Sequence, residues 1–66
     1  MKRGIKLKIF LLLKEKNTPL RVVDIANYLS INYYSVYKAI KSLEHEGYIR
    51  KINNKTYELT KKIIEI

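Results

Sequence analysis

Apolar residues recur every three to four positions in three segments of the chain, which is the spacing of an amphipathic helix. The first segment covers residues 4–16, and its apolar stripe consists of Ile5, Ile9, Leu12 and Leu13. Asn17, Thr18 and Pro19 end this pattern, because proline has no backbone N–H with which to continue a helix. Leu20, directly after the break, is compatible with a very short strand.

Two more helices are predicted on either side of an interruption formed by Ser30, Ile31 and Asn32. The second helix covers about residues 21–29, and its apolar face consists of Val22, Ile25, Ala26 and Leu29. The third helix begins after Asn32, whose side chain can accept a backbone N–H of the first turn, and it ends before Gly47. Its apolar stripe consists of Val36, Ala39, Ile40 and Leu43.

After the third helix, the residue types change to those that favour strands. Residues 48–52 and 56–59 are rich in Tyr, Ile and Thr, and the turn between them consists of Asn53, Asn54 and Lys55. Asparagine tolerates the positive φ of a tight turn, so the two segments predict a β-hairpin. The tail, residues 60–66, is compatible with either a strand extension or a helical turn.

The size and composition of the chain limit how it can be stabilised. We expect 66 residues to form a single domain, 1–66, and a chain this short buries only about 60% of the surface of its unfolded form. It has no cysteine and one histidine, which excludes disulfides, a thiolate metal site and an imidazole cluster. We therefore expect no metal and no cofactor, and stability must come from packing.

The charge balance favours a polyanionic partner. Fourteen Lys and Arg against six Asp and Glu give a formal net charge of +8, and such a field attracts phosphates. Lysine-rich surfaces also occur in heat-adapted proteins and in chains from AT-rich genomes, so charge alone does not establish nucleic-acid binding.

The N-terminal segment does not have the pattern of a targeting or membrane sequence. Lys6 and Lys8 interrupt its apolar residues, and no small-residue cleavage site follows. The longest apolar run, residues 9–13, is too short to span a bilayer. We therefore expect a cytoplasmic protein with no membrane partner.

The order helix, short strand, helix, three-residue turn, helix and hairpin resembles the winged helix-turn-helix family of small transcription regulators. Ala26 matches the small residue at the helix crossing, and the family's apolar core positions are matched by Ile25, Leu29, Ile31, Val36, Ile40 and Leu43. Residues 35–49 look like the stretch that joins the recognition helix to the wing. Ser30 stands at a turn position that is often glycine, and a positive φ there would cost on the order of 1 kcal/mol. The alternative is a turn of a different shape.

The resemblance implies an α+β winged helix-turn-helix fold, with three helices followed by a two-stranded β-hairpin wing. It also implies double-stranded DNA as the partner and the third helix as the element that enters the major groove. The recognition-helix residues predicted to bind DNA are Asn32, Tyr33, Tyr34, Ser35, Tyr37, Lys38 and Lys41.

Each of these residues also has an ordinary structural explanation. Lys38 and Lys41 are compatible with a solvated helix face, and Tyr33 is as compatible with packing as with DNA contact. His45 lies on the same outward side but at the far end of the helix, where we expect it to be solvated. In the wing, the candidates are compatible with either DNA contact or a simple turn, and they are Arg50, Lys51, Asn53, Asn54 and Lys55.

The first helix carries apolar residues on the side opposite its core stripe as well, and a helix that is apolar all round is buried all round. We therefore predict a homodimer, with an interface formed by Leu7, Phe10 and Leu11 of the helix and by Ile63, Ile64 and Ile66 of the tail. The alternative is that the tail folds back over the first helix within one chain.

The leading hypothesis is a sequence-specific double-stranded DNA-binding protein that regulates transcription and contacts two half-sites as a dimer. The alternatives are a protein- or RNA-interaction module of the same fold and a non-specific architectural DNA-binding protein. An enzyme is the least favoured class, because Asp24, Glu44 and Glu46 diverge and Ser35 and Ser42 have no orienting partners. The sequence also gives no indication of a small-molecule effector or of a cavity that would hold one.

Overall fold

The computed structural model of the protein describes residues 4–62. Within them, the three predicted helices are present as α1 (Ile5–Lys16), α2 (Val22–Leu29) and α3 (Tyr33–His45). The short strand after the first helix is β1 (Leu20–Arg21), and the hairpin consists of β2 (Ile49–Lys51) and β3 (Thr56–Leu59). No helix among the described residues is long and apolar enough to cross a membrane.

The predicted two-stranded hairpin is present, and the short strand predicted at Leu20 joins it in a three-stranded sheet. β3 lies in the middle and pairs antiparallel with β2 on one side and with β1 on the other. Leu20 is opposite Tyr57 and Arg21 is opposite Thr56 in the register of β1 and β3. The backbone groups on the second edge of β3 are thereby paired, which anchors the wing to the start of α2.

The ends of α3 follow the sequence prediction. The Asn32 Oδ1 atom accepts the backbone N–H groups of Tyr34, at 2.8 Å, and of Ser35, at 3.3 Å, and so satisfies two donors that the first turn leaves open. Gly47 follows the helix with a φ of 88°, a conformation that glycine adopts without a steric penalty.

Ser30 has a φ of 54°, so the turn between α2 and α3 uses the left-handed conformation at a residue with a side chain. Its backbone N–H reaches the Asn27 carbonyl at 3.3 Å, and the next N–H, of Ile31, reaches the Ala26 carbonyl at 3.1 Å. These bonds satisfy the last carbonyls of α2 and hold the strained residue in place.

The core lies between the three helices and the sheet. The whole predicted stripe of α3 is buried, and so are the core residues of α2, Val22, Ile25 and Ala26. On α1, the predicted residues Ile9, Leu12 and Leu13 are buried, while Ile5 is half-buried. Tyr57 of β3 also belongs to the core, at 3% exposure.

The prediction that Phe10 lies in a dimer interface is wrong, because Phe10 belongs to the core of the chain. Its side chain is buried within the chain, at 6% exposure, because α1 contacts α2, α3 and β3 and is therefore covered on more than one side. Leu7 is half-buried against the same core, and Leu11 is exposed. Ile63, Ile64 and Ile66, and with them most of the tail, lie outside the described residues.

Candidate nucleic-acid interface

The outward face of α3 carries aromatic rings and lysines in alternation. Tyr34 is 64% exposed, and the Lys38 ammonium lies 5.5 Å from the centre of its ring. One turn further along, the Lys41 ammonium lies 5.6 Å from the ring centre of Tyr37. These cation–π contacts hold the lysine side chains close to the helix, so that charge and ring are presented together.

The ring of Tyr33 is exposed to solvent and is not part of the core. Its ring is 54% exposed and runs nearly parallel to the ring of Tyr37, with the two centres 6.5 Å apart and the planes at 10°. The four-residue spacing places both rings on one side of the helix. Together they form a stacked aromatic pair at the start of α3.

Of the remaining two candidates, Asn32 and Ser35, the side chain of Asn32 is occupied in capping the first turn of the helix. The side chain of Asn32 accepts two backbone N–H groups, and one of these belongs to Ser35, which is half-buried. Asn32 is thus a capping residue whose acceptor is already in use.

The turn of the wing is built around Asn53. Its Oδ1 atom accepts the backbone N–H groups of Lys55, at 2.9 Å, and of Thr56, at 3.2 Å. This leaves the exposed side chains of Asn54 and Lys55 at the tip of the hairpin. Asn53 therefore shapes the wing, and its two neighbours are presented by it.

Arg50 and Lys51 lie on opposite faces of β2, since successive side chains of a strand alternate. Lys51 is opposite the buried Tyr57 in the register, and its ammonium lies 6.0 Å from the centre of that ring. Arg50 is opposite Glu58 on the other face, and its Nε donates a 2.6 Å hydrogen bond to the Glu58 carboxylate. Only Lys51 of the two is therefore on the side of the sheet that faces the helices.

A cleft of about 330 Å³ separates α3 from the wing and joins the two sets of candidates. It contains neither Tyr34, Lys38 nor Arg50. Its lining consists of Arg21, Val22 and Val23 from the start of α2, Tyr33, Tyr37 and Lys41 from α3, and Lys51, Asn54, Lys55 and Tyr57 from the wing. Four cations and an aromatic wall thus converge on one concave surface.

Two cations of this cleft, Lys41 and Arg21, have neighbours that favour their charged forms. The pKa of the Lys41 ammonium is raised above its ordinary value, chiefly by electrostatic interaction with Tyr57 and further by Glu44, whose carboxylate lies 3.5 Å away. The pKa of the Arg21 guanidinium is raised by its hydrogen bonds to Asp24. Both groups therefore carry their positive charge at any pH at which the protein would meet a phosphate.

Sequence reasoning assigned four lining residues of the cleft to no binding site: Val22, Val23, Arg21 and Tyr57. Arg21 and Tyr57 are the two of them with polar groups. Both lie on paired strands, and the pairing of β1 with β3 carries Arg21 to the wing. The available signal was the alternation of β3, in which Tyr57 shares a face with Leu59. The described residues contain no group of His, Cys, Asp or Glu that could hold a metal ion.

Comparison with known proteins gives a match to a protein family. Residues 6–64 match the family model described as "Sugar-specific transcriptional regulator TrmB". No curated protein and no solved structure matches the chain. The match extends over nearly the whole sequence, and with the arrangement of helices and sheet it confirms the α+β winged helix-turn-helix fold.

Proposed function

The chain belongs to the TrmB family of transcriptional regulators, and on that premise we propose that it binds double-stranded DNA sequence-specifically, with α3 in the major groove. The family is one of winged helix-turn-helix regulators and not of enzymes. We further propose that residues 1–66 act as one domain, that the protein works on DNA in the cytoplasm, and that it does so as a homodimer on two half-sites.

The observation that carries the proposal is the cleft between α3 and the wing. An element that reads base edges must lie deep in the groove, while cations beside it follow the phosphates along the groove's edge. Here the aromatic and lysine face of α3 is flanked by a concave surface with four cations, Arg21, Lys41, Lys51 and Lys55. An exposed face for base edges beside a concave cationic surface for phosphates supports the proposal of duplex binding.

The side chains divide into two groups with different expected roles. Tyr34 and Lys38 lie outside the lining of the cleft and Tyr37 belongs to it; all three are exposed on α3, and we assign them to base edges. The cations of the cleft and Asn54 are assigned to backbone phosphates, which position the domain without reading sequence. Arg50, paired with Glu58 on the far face of the wing, receives no assigned contact.

The proposal is tested by selecting duplexes from a random pool and titrating the selected duplex against a scrambled one at several salt concentrations. A sequence reader is expected to prefer the selected duplex by at least about 10³-fold. A ratio near one at high affinity would instead identify an architectural DNA-binding protein. Absence of duplex binding would favour the interaction-module alternative.

A combined variant links the binding to α3. Replacing Tyr34, Tyr37, Lys38 and Lys41 by Ala is expected to abolish preference and most affinity. A control that replaces Lys14 and Lys16 of α1 by Ala also removes two positive charges, but from residues that do not line the cleft. This control should retain the preference. Intact duplex binding by the four-residue variant would show that α3 is not the reading element.

A further inference from the structure

One face of α1 is left open to solvent by the fold. Leu11 is 45% exposed, although it lies in the middle of a helix whose other side forms the core. Beside it, a shallow groove of about 270 Å³ runs between α1 and α2 and is lined by Lys8, Leu11, Leu12, Glu15 and Leu29. The groove therefore has an apolar floor, with a cation at one end and an anion at the other.

The acidic residue of this groove differs from the other described acidic residues of the chain. Among the described residues, Glu15 is the acidic residue without an ion pair, and Lys8 at the opposite end forms none either. The other described acids are each paired within the chain, as Lys6–Glu46, Arg21–Asp24, Lys41–Glu44 and Arg50–Glu58. In a chain with fourteen cations, an exposed carboxylate left without one is available to a partner.

The spacing of the charges makes this face complementary to itself. Lys8 and Glu15 are seven residues apart, so they lie almost on one line along the helix and about 10.5 Å apart. Leu11 and Leu12 lie midway between them. A two-fold axis at this midpoint would place a second α1 antiparallel to the first, with each Lys8 level with Glu15 of the other copy and the two Leu11 side chains at the centre.

We propose that a second copy of this chain docks on the face formed by Lys8, Leu11 and Glu15, in this antiparallel arrangement. The arrangement rests on the proposed dimeric function and gives it an interface, with Leu11 and the two charges in place of Phe10. Each copy supplies both the lysine and the carboxylate of the contacts between copies. A different protein would need its own charges at the same spacing. The face shares no residue with the cleft, so both copies keep their DNA-binding surfaces open.

The interface is tested by sedimentation equilibrium without DNA, from micromolar to millimolar protein. Because the contact is one helix wide, a weak dimer is expected. Lys8→Glu and Glu15→Lys should each raise the dissociation constant about tenfold, since each creates two like-charge contacts in the dimer. The double variant exchanges the charges, keeps the net charge, and should restore native dimerisation.

The charge-reversal variants are expected to fold as the native chain does, so a change in dimerisation reports on the interface. Each reversal places its charge nearer the end of α1 that the helix dipole favours, negative at the start and positive at the end. Leu11→Asp should give monomers with the native circular dichroism spectrum, and Lys38→Glu, which changes net charge as Lys8→Glu does, should leave the dimer unchanged. A native chain that is monomeric at millimolar concentration overturns the interface, as does a double variant no better than the single ones.

The measurement also separates this inference from the function on which it rests. A duplex with a single half-site should bind the Leu11→Asp monomer as it binds one native copy. Retained binding with the native chain monomeric would overturn the interface and leave DNA reading standing. A dimer that responds to the charge reversals but binds no duplex would support the interface and contradict DNA reading.

Discussion

Arg21 and Asp24 form a closed pair at the start of α2. The guanidinium donates from Nε to Oδ2 at 3.1 Å and from Nη2 to Oδ1 at 3.0 Å, and the backbone N–H of Arg21 donates to the same carboxylate at 3.2 Å. The carboxylate thus caps α2 and orients a cation that lines the cleft. Local helix capping and the charge of the proposed DNA surface therefore depend on one side chain.

The pair predicts a pH dependence with a definite sign. Hydrogen bonds from the Arg21 side chain and backbone lower the pKa of Asp24 below its ordinary value of 3.8. Because the pKa of Asp24 is lower in the folded chain than in the unfolded chain, the ionised carboxylate stabilises the fold at pH values above 3.8. This stabilisation is lost as the pH falls below 3.8 and through the lower pKa of the folded chain. NMR titration of the Asp24 carboxyl should give a midpoint below 3.8 in the native chain.

Arg21→Gln should move that midpoint upward, because it removes the guanidinium that donates two of the hydrogen bonds. Lys14→Gln removes a positive charge from α1 and should leave the midpoint in place. An Asp24 midpoint that is equal in the native and Arg21→Gln chains would mean that the pair does not persist in solution.

Ser30→Gly is expected to stabilise the protein. Ser30 has a φ of 54°, and a side chain in the left-handed region costs about 1 to 2 kcal/mol. Glycine avoids this cost, but it loses more conformational freedom on folding, which offsets part of the gain. The free energy of unfolding should therefore rise by up to about 1 kcal/mol in urea titrations. The same change at Ser42, within α3, should lower it by about 0.5 to 1 kcal/mol. Two destabilised variants would show that the turn is not strained.

Substitutions at two neighbouring residues of α3, Val36 and Tyr37, should have different effects, the first on stability and the second on sequence preference. Val36 is fully buried, so Val36→Ala should reduce the free energy of unfolding by about 1 to 3 kcal/mol through lost burial and a cavity. Tyr37 projects outward, so Tyr37→Ala should reduce discrimination between selected and scrambled duplexes by about 1 to 3 kcal/mol with nearly unchanged Tm. Thermal unfolding and competition titration measure both quantities on both variants, and equal effects would contradict the division of roles.

The wing predicts a difference between two cations of one hairpin. Lys55 at the exposed tip lines the cleft, so Lys55→Ala should weaken all duplexes alike and flatten the slope of log affinity against log salt by roughly one unit. Arg50→Ala removes a cation that is paired with Glu58 on the other face, and it should change the slope much less. Equal slopes for Lys55→Ala and the native chain would make Lys55 an ordinary turn residue.

The elements of this protein are determined locally, which is why the sequence predicted them. The buried stripe of α3 follows from helical periodicity alone, and the cap at Asn32 and the end at Gly47 follow from chemistry within a few residues. The hairpin and its turn follow from residue types that favour strands and from asparagines that fit the turn. The family resemblance rested on this order of elements and on the apolar positions within it.

Tertiary packing determined what lies between the elements. Phe10 has the spacing of an outward residue, but contacts of α1 with α2, α3 and β3 bury it, and no periodicity within α1 specifies how many neighbours cover it. The cleft depends on two strand registers: the pairing of β1 with β3 brings Arg21 to the wing, and the pairing of β2 with β3 turns Lys51, not Arg50, toward the helices. The sequence alone therefore identified the surfaces of single helices and strands, whereas the sites formed between them required the fold, since their residues are distant along the chain.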